Sequence, residues 1–173
     1  VPPPIYLLDS DVFIQAKNLH YGLDFCPAFW DWIIKNNADG RVMSIEKVGD
    51  EIAAGNDELA TWAKQRGPGL FVPPDETILP ILPNVSTWST THTWGNGQRY
   101  SPAAINTFLQ VADYYLVAQA LAKGHVVVTH EKLEASVNRI KIPNACIGLK
   151  IKCMNPYEML RTEQARFILG QRA

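Results

Sequence analysis

Five short runs of branched apolar residues punctuate this 173-residue chain, and their spacing constrains the fold more than any other feature. They are IYLL (5–8), RVMSI (41–45), LFV (70–72), HVVVT (125–129) and CIGLKIKCM (146–154). Most lack clean alternation of apolar and polar residues, so they read as strands covered on both faces, as parallel sheets require. Helical patterns fill the intervals. Pro27 suits the first turn of a helix in CPAFWDWIIKN, IEKVGDEIAAG closes on Gly55 as a C-cap, and Asp57 is placed to cap DELATWAKQRG. Ser101-Pro102 opens the longest expected helix, SPAAINTFLQVADYYLVAQALAKG, which stops at Gly124, and Pro156 opens the last. This alternation predicts an α/β fold: a three-layer α/β/α sandwich with a mainly parallel sheet of about five strands. The length suits one domain over 1–173 with a substantial core.

Residues 73–100 depart from that pattern. They hold four prolines, a Thr/Ser run, Trp88, Trp94 and the turn-like Gly95-Asn96-Gly97. Beyond a possible short helix in DETILPIL, they read as a long loop. Trp88, His92, Trp94 and Arg99 suit stacking on bases or contact with phosphate; aromatics that simply anchor the loop to the body suit the same pattern.

Composition narrows the function classes. Apolar residues make up 47% and charged residues 19%, as in ordinary soluble domains. No apolar run approaches ~20 residues, so no membrane-spanning helix is expected. The N-terminal residues lack a basic, apolar and cleavable leader, and Cys26, Cys146 and Cys153 lack metal-ligand spacing. Both observations point to a cytoplasmic protein with reduced thiols. The net charge of −1 hides an asymmetry: residues 1–113 carry 13 acids against 7 Lys/Arg, and residues 114–173 carry 4 against 9. An acidic cluster beside a basic surface suits a metal site acting on a polyanion.

The acids themselves are informative. Asp9 ends the first apolar run, and Asp11 follows at once. A buried strand that delivers carboxylates at its tip requires a use for them, because an unpaired buried charge is costly. Ligands of open α/β sheets sit at those tips. Helix capping by Asp9 or Ser10 is the bland alternative. Glu51 lies on the helix after the second run, Asp113 interrupts the long apolar helix, and Glu131 follows VVVT with one residue, His130, between. Carboxylates converging at one sheet end suit Mg²⁺ or Mn²⁺, which prefer oxygen ligands. Glu46 rivals Glu51, although the two do not share a helix face. Glu134 is a further candidate, better read as solvated, and the histidines His20, His92, His125 and His130 add little.

The order of these motifs resembles the PIN domain. That family shows a strand-end Asp, an E-(L/I)-x-x-G helix, a D-x-x-(I/L)-x-A-x-A helix and a T-x-(D/E) after the next strand. Here Asp9, Glu51-Ile52-Ala53-Ala54-Gly55, Asp113 through Ala120 and Thr129-His130-Glu131 supply the four in order, across about residues 5–155. The likeness is greatest to PIN-like toxins of the VapC type, in a branch carrying Pro143-Asn144-x-Cys146. It implies a Mg²⁺- or Mn²⁺-dependent endoribonuclease using metal-activated water, with Asp9, Glu51, Asp113 and Glu131 as catalytic metal ligands and Asp11 in support. It further implies an RNA substrate, an antitoxin partner and a homodimer. Two departures stand out: Asp11 replaces the usual Asn, and Glu131 replaces the commoner Asp. Two other functions compete. One is a degenerate PIN-like module that binds RNA or a partner without cutting. The other is a haloacid-dehalogenase-like phosphohydrolase with Asp9 as nucleophile and Asp11 as acid/base, whose later motifs occur here in the wrong order.

Overall fold

The computed structural model describes residues 2–170. Strands β1 (Tyr6–Leu8), β2 (Val42–Ile45), β3 (Phe71–Val72), β4 (Val126–Val128) and β5 (Cys153–Met154) form one parallel sheet in the order β3-β2-β1-β4-β5. Every residue of β1 and β4 is buried, so helices cover both faces and the architecture is the expected three-layer sandwich. Tyr6, Leu7, Leu8, Phe13, Ile33, Val127 and Leu116 sit at the core, with no accessible surface. Each such side chain contributes roughly 1.5–3 kcal/mol by leaving water.

Helices α1 (Ser10–Gln15), α2 (Pro27–Ala38), α3 (Glu46–Ala53) and α4 (Glu58–Arg66) connect the first three strands. Their ends follow the sequence signals. Asp57 accepts the Ala60 amide at 2.9 Å, and Pro27 occupies the first turn of α2. Helices α5 (Leu82–Thr91), α6 (Pro102–Gln110) and α7 (Ala112–Lys123) lead into β4; α8 (Ile142–Gly148) precedes β5 and α9 (Pro156–Thr162) follows it. Gly124 takes the left-handed C-cap of α7 (φ 68°), and Asn155 and Glu158 form a capping box on α9. Among the described residues, no helix is long and apolar enough to cross a membrane.

The structure corrects four local expectations. The long helix from Ser101 to Gly124 is two helices, because Val111 is extended (φ −103°, ψ 170°). Asp113 therefore lies in the first turn of α7, not in the middle of a helix. The segment 146–154 is a strand only at its end. Pro143 starts α8, which absorbs Cys146, and the chain turns through Lys150 at φ 59° before β5. The expected loop over 73–100 contains α5, with Pro83 in its first turn, while Thr93 and Arg99 pair across the Gly95-Asn96-Gly97 turn. Finally, α3 ends at Ala53 and Ala54, without a left-handed Gly55.

The aromatics of that segment face inward. Trp88 packs near Tyr100 and Phe108, at centroid distances of 5.9 and 6.5 Å, and its indole lies against Gly148 of α8. The Tyr114 hydroxyl donates to the Leu82 carbonyl at 2.8 Å, tying α5 to α7. Anchoring, not base stacking, accounts for Trp88.

Candidate active site

The chain first builds outward from β1 to β2 and β3, then returns to place β4 and β5 on the other side of β1. The reversal falls between β1 and β4, and ligands of open α/β sheets bind at the carboxyl ends of strands beside such a reversal. Asp9 follows β1 by one residue and Thr129 follows β4 by one. A parallel register of Leu8 with Val128 holds the two strand tips level.

A cleft of about 460 Å³ opens there, and Asp9, Asp11, Glu51, Asp113 and Glu131 all line it. Four parts of the chain supply these five carboxylates: the β1–α1 turn, α3, α7 and the segment after β4. Glu46, at the start of α3, is exposed and lines a different cavity with Tyr115 and Gln119. Glu134 does not line the acidic cleft; its amide donates to Asn144 Oδ1 at 3.1 Å.

Asp9 is 5% exposed. Its Oδ1 accepts the Ser10 amide at 2.7 Å, and its Oδ2 stands 2.9 Å from the Thr129 hydroxyl. Asp9 thus caps α1 and also lines the cleft. Burial, reinforced by the charges of Asp11 and Asp113, pushes its carboxyl well above the usual range despite those hydrogen bonds. Asp11 accepts the His130 amide at 3.1 Å and lies 3.2 Å from the Thr129 hydroxyl. Burial raises Asp113 to about 6, helped by the charges of Glu131, Glu51 and Asp11 and opposed by Lys141. A position in the first turn of a helix favours a carboxylate. Here burial and like charge win.

Glu131 is differently placed. Its Oε1 accepts Lys141 Nζ at 2.7 Å, and its Oε2 accepts the Ile142 amide at the start of α8 at 2.8 Å. Lys141, which sequence reasoning missed, is the cation nearest this carboxylate, and only its position just ahead of Ile142-Pro143 hints at the role. Arg139, also missed, brings a second cation to the cleft wall and is exposed. Asn144, buried in α8, closes the intervening loop by donating to the Glu134 carbonyl at 2.9 Å.

The donor set is oxygen only, the chemistry Mg²⁺ and Mn²⁺ favour. Burial and then mutual repulsion raise Asp9 and Asp113, and a divalent cation would relieve the repulsion, so the residues fit such an ion. Among the described residues, no group of three or more His, Cys, Asp or Glu side chains is arranged to hold an ion as it stands. Glu131 and Asp11 point at protein donors instead, and ligation by either competes with those bonds. Asp9 too is held through both oxygens, by the Ser10 amide and the Thr129 hydroxyl.

A family model described as Domain of unknown function (DUF4411) matches residues 6–167. Among solved structures, the crystal structure of FitAcB from Neisseria gonorrhoeae is similar in fold, with a TM-score of 0.52 at 17% identity. That match covers 88% of this chain and 99% of the other. No curated protein matches.

Proposed function

The chain belongs to the DUF4411 family, and we propose that it is a divalent-cation-dependent endoribonuclease serving as the toxin of a toxin–antitoxin pair. One observation carries the reading: five carboxylates from four parts of the chain line one cleft at the switch point of a parallel sheet. The PIN-like order of the motifs supplies the reaction class, and the fold shared with FitAcB agrees with the architecture that order implies.

In this reading Asp9, Glu51 and Asp113 hold Mg²⁺ or Mn²⁺, with Glu131 and Asp11 completing the set. When bound, the cation would supply an acidified water and charge stabilisation for the leaving oxygen. The chain's own residues do the positioning. Ser10 and Thr129 fix the Asp9 carboxylate through its two oxygens. Lys141 and the Ile142 amide hold Glu131 against α8. Arg139 at the cleft wall and the basic excess of residues 114–173 hold the RNA backbone, with affinity that falls as salt rises. An antitoxin partner and a homodimer follow from the resemblance, a cytoplasmic location from the cysteine and N-terminal pattern, and they complete the proposal.

The test is incubation of purified protein with mixed RNAs in Mg²⁺, in Mn²⁺ and in chelator. Fragments that require the ion support the nuclease. Salt-sensitive binding without fragments under either metal leaves the non-cutting module. Hydrolysis of a small phosphomonoester, lost in Asp9→Asn, would favour the phosphohydrolase.

The two rival glutamates give a sharper comparison. Glu51→Gln should lower cleavage by about tenfold or more, because it removes a charge from the cleft. Glu46→Gln should leave the rate within about twofold, since sites that share no partner act independently. Equal losses in the two variants would remove Glu51 from the site.

A further inference from the structure

A second cleft of about 460 Å³ adjoins the acidic one. Glu131 lines both. Its walls are apolar, made by Pro143, Ile151 and Met154, with Ile147 63% exposed at the rim. His130 and Tyr157 supply aromatic surface, with ring centroids 5.6 Å apart and planes at 69°. His20 braces the pair: its ring lies 5.5 Å from each, and its Nε2 is 2.9 Å from the Tyr157 hydroxyl. Lys132 adds a cation among the lining residues, which also include the carboxylates of Glu131 and Glu158. The backbone amide of His130 meanwhile donates to Asp11, so one residue joins the aromatic cleft to the carboxylates.

We infer that this second cleft holds a nucleobase of the RNA strand, beside the phosphate that lies across the acids. The inference rests on the ribonuclease reading above for the identity of the strand. An apolar wall beside an aromatic ring suits a base whatever its sequence, because every base has a π-face that can stack on one ring. A half-open cleft of this volume has room for a ring system. The shared Glu131 and the His130–Asp11 bond place the two clefts next to each other, so a strand crossing the acids meets the aromatic pair without a detour. An apolar side chain of a protein partner would fit the same walls, but that occupant gives no reason for the link to the acids.

The experiment uses short RNAs carrying 2-aminopurine at one position at a time, bound to the intact protein in chelator so that the strand stays whole. Fluorescence should drop at one position only. An abasic nucleotide at that position should weaken binding about tenfold, the size of one base–aromatic stack. Tyr157→Ala should produce the same loss and make the abasic change silent. Tyr157→Phe, which keeps the ring and removes the hydroxyl that meets His20, should bind like the wild type. Binding that ignores both base removal and Tyr157→Ala overturns the subsite, even if the protein cuts RNA. A base-dependent, Tyr157-dependent signal with no cleavage in any metal keeps the subsite and sinks the nuclease reading instead. Displacement of the signal by an apolar peptide, with no effect of base removal, assigns the cleft to a protein partner and overturns the proposal.

Discussion

Asp113→Asn should cut divalent-dependent RNA cleavage by about 10²-fold or more and, in the same preparation, make the cation-free protein more stable. The two effects share one cause. Burial and the charges of Glu131, Glu51 and Asp11 raise this carboxyl from 3.8 to about 6. The folded state therefore binds the proton more tightly than the unfolded chain. As pH rises from about 4 to 6, the unfolded chain deprotonates first and the folded protein loses stability. Below the ordinary carboxylate range the penalty is absent, and above about 6 it is complete. The neighbouring acids are coupled, so a range of roughly 1–3 kcal/mol is the appropriate scale. Urea denaturation of both proteins at pH 4 and pH 7.5 in chelator reads it: equal stabilities at the lower pH, with the variant ahead at the higher. Adding Mg²⁺ or Mn²⁺ should stabilise the wild type by mass action and close the gap. A variant less stable than the wild type at pH 7.5 would mean that Asp113 serves the fold by hydrogen bonding instead.

Gly148→Ala should be among the most damaging small substitutions in the chain. A Cβ at this position would stand 2.2 Å from the Trp88 indole nitrogen and 2.6 Å from Cε2. Trp88 is rigid and packed among Tyr100 and Phe108, so α5 or α8 must shift to make room. Overpacking of this kind costs about 1–3 kcal/mol. The same displacement would disturb α8, whose first turn holds Glu131. Thermal unfolding should show the loss of stability, and cleavage should fall with it. A change within about 0.5 kcal/mol, the range of ordinary surface substitutions, would show that the indole yields easily.

Much of this architecture was legible in the sequence, for identifiable reasons. Apolar runs without alternation announced buried parallel strands, and Asp57, Ser101 and Pro156 marked helix starts. Ser101 accepts the Ala104 amide as that signal implies. The failures came where local pattern was ambiguous. Nothing in QVAD announces that Val111 leaves the helix, since a branched apolar residue is tolerated in either state. CIGLKIKCM is apolar enough for a strand, yet the tertiary position of Pro143 gives its first half to a helix. The segment 73–100 looked irregular because proline and threonine depress helix propensity, whereas packing against α7 outweighs it. At the candidate site, the acids were visible because carboxylates beside apolar runs need an explanation. Lys141 and Arg139 were not, because a surface lysine or arginine carries no such burden in sequence. The aromatic trio of His20, His130 and Tyr157 was equally hidden, being joined only by the return of α9 past the tip of β4.

The Thr129 hydroxyl has one hydrogen and two carboxylates within reach, Asp9 at 2.9 Å and Asp11 at 3.2 Å. It is also an acceptor for the Glu131 amide at 3.0 Å, so its oxygen is engaged from a third direction. A single hydroxyl proton cannot satisfy both acids at once. Thr129 can therefore donate to one acid at a time, while Asp11 also accepts the His130 amide. Burial and the charges of Asp11 and Asp113 raise the Asp9 carboxyl, so it takes up a proton readily as the solution becomes more acidic. In the metal-dependent reading proposed above, a cation entering the cleft would compete with a proton for Asp9, so acid should oppose both ion binding and cleavage.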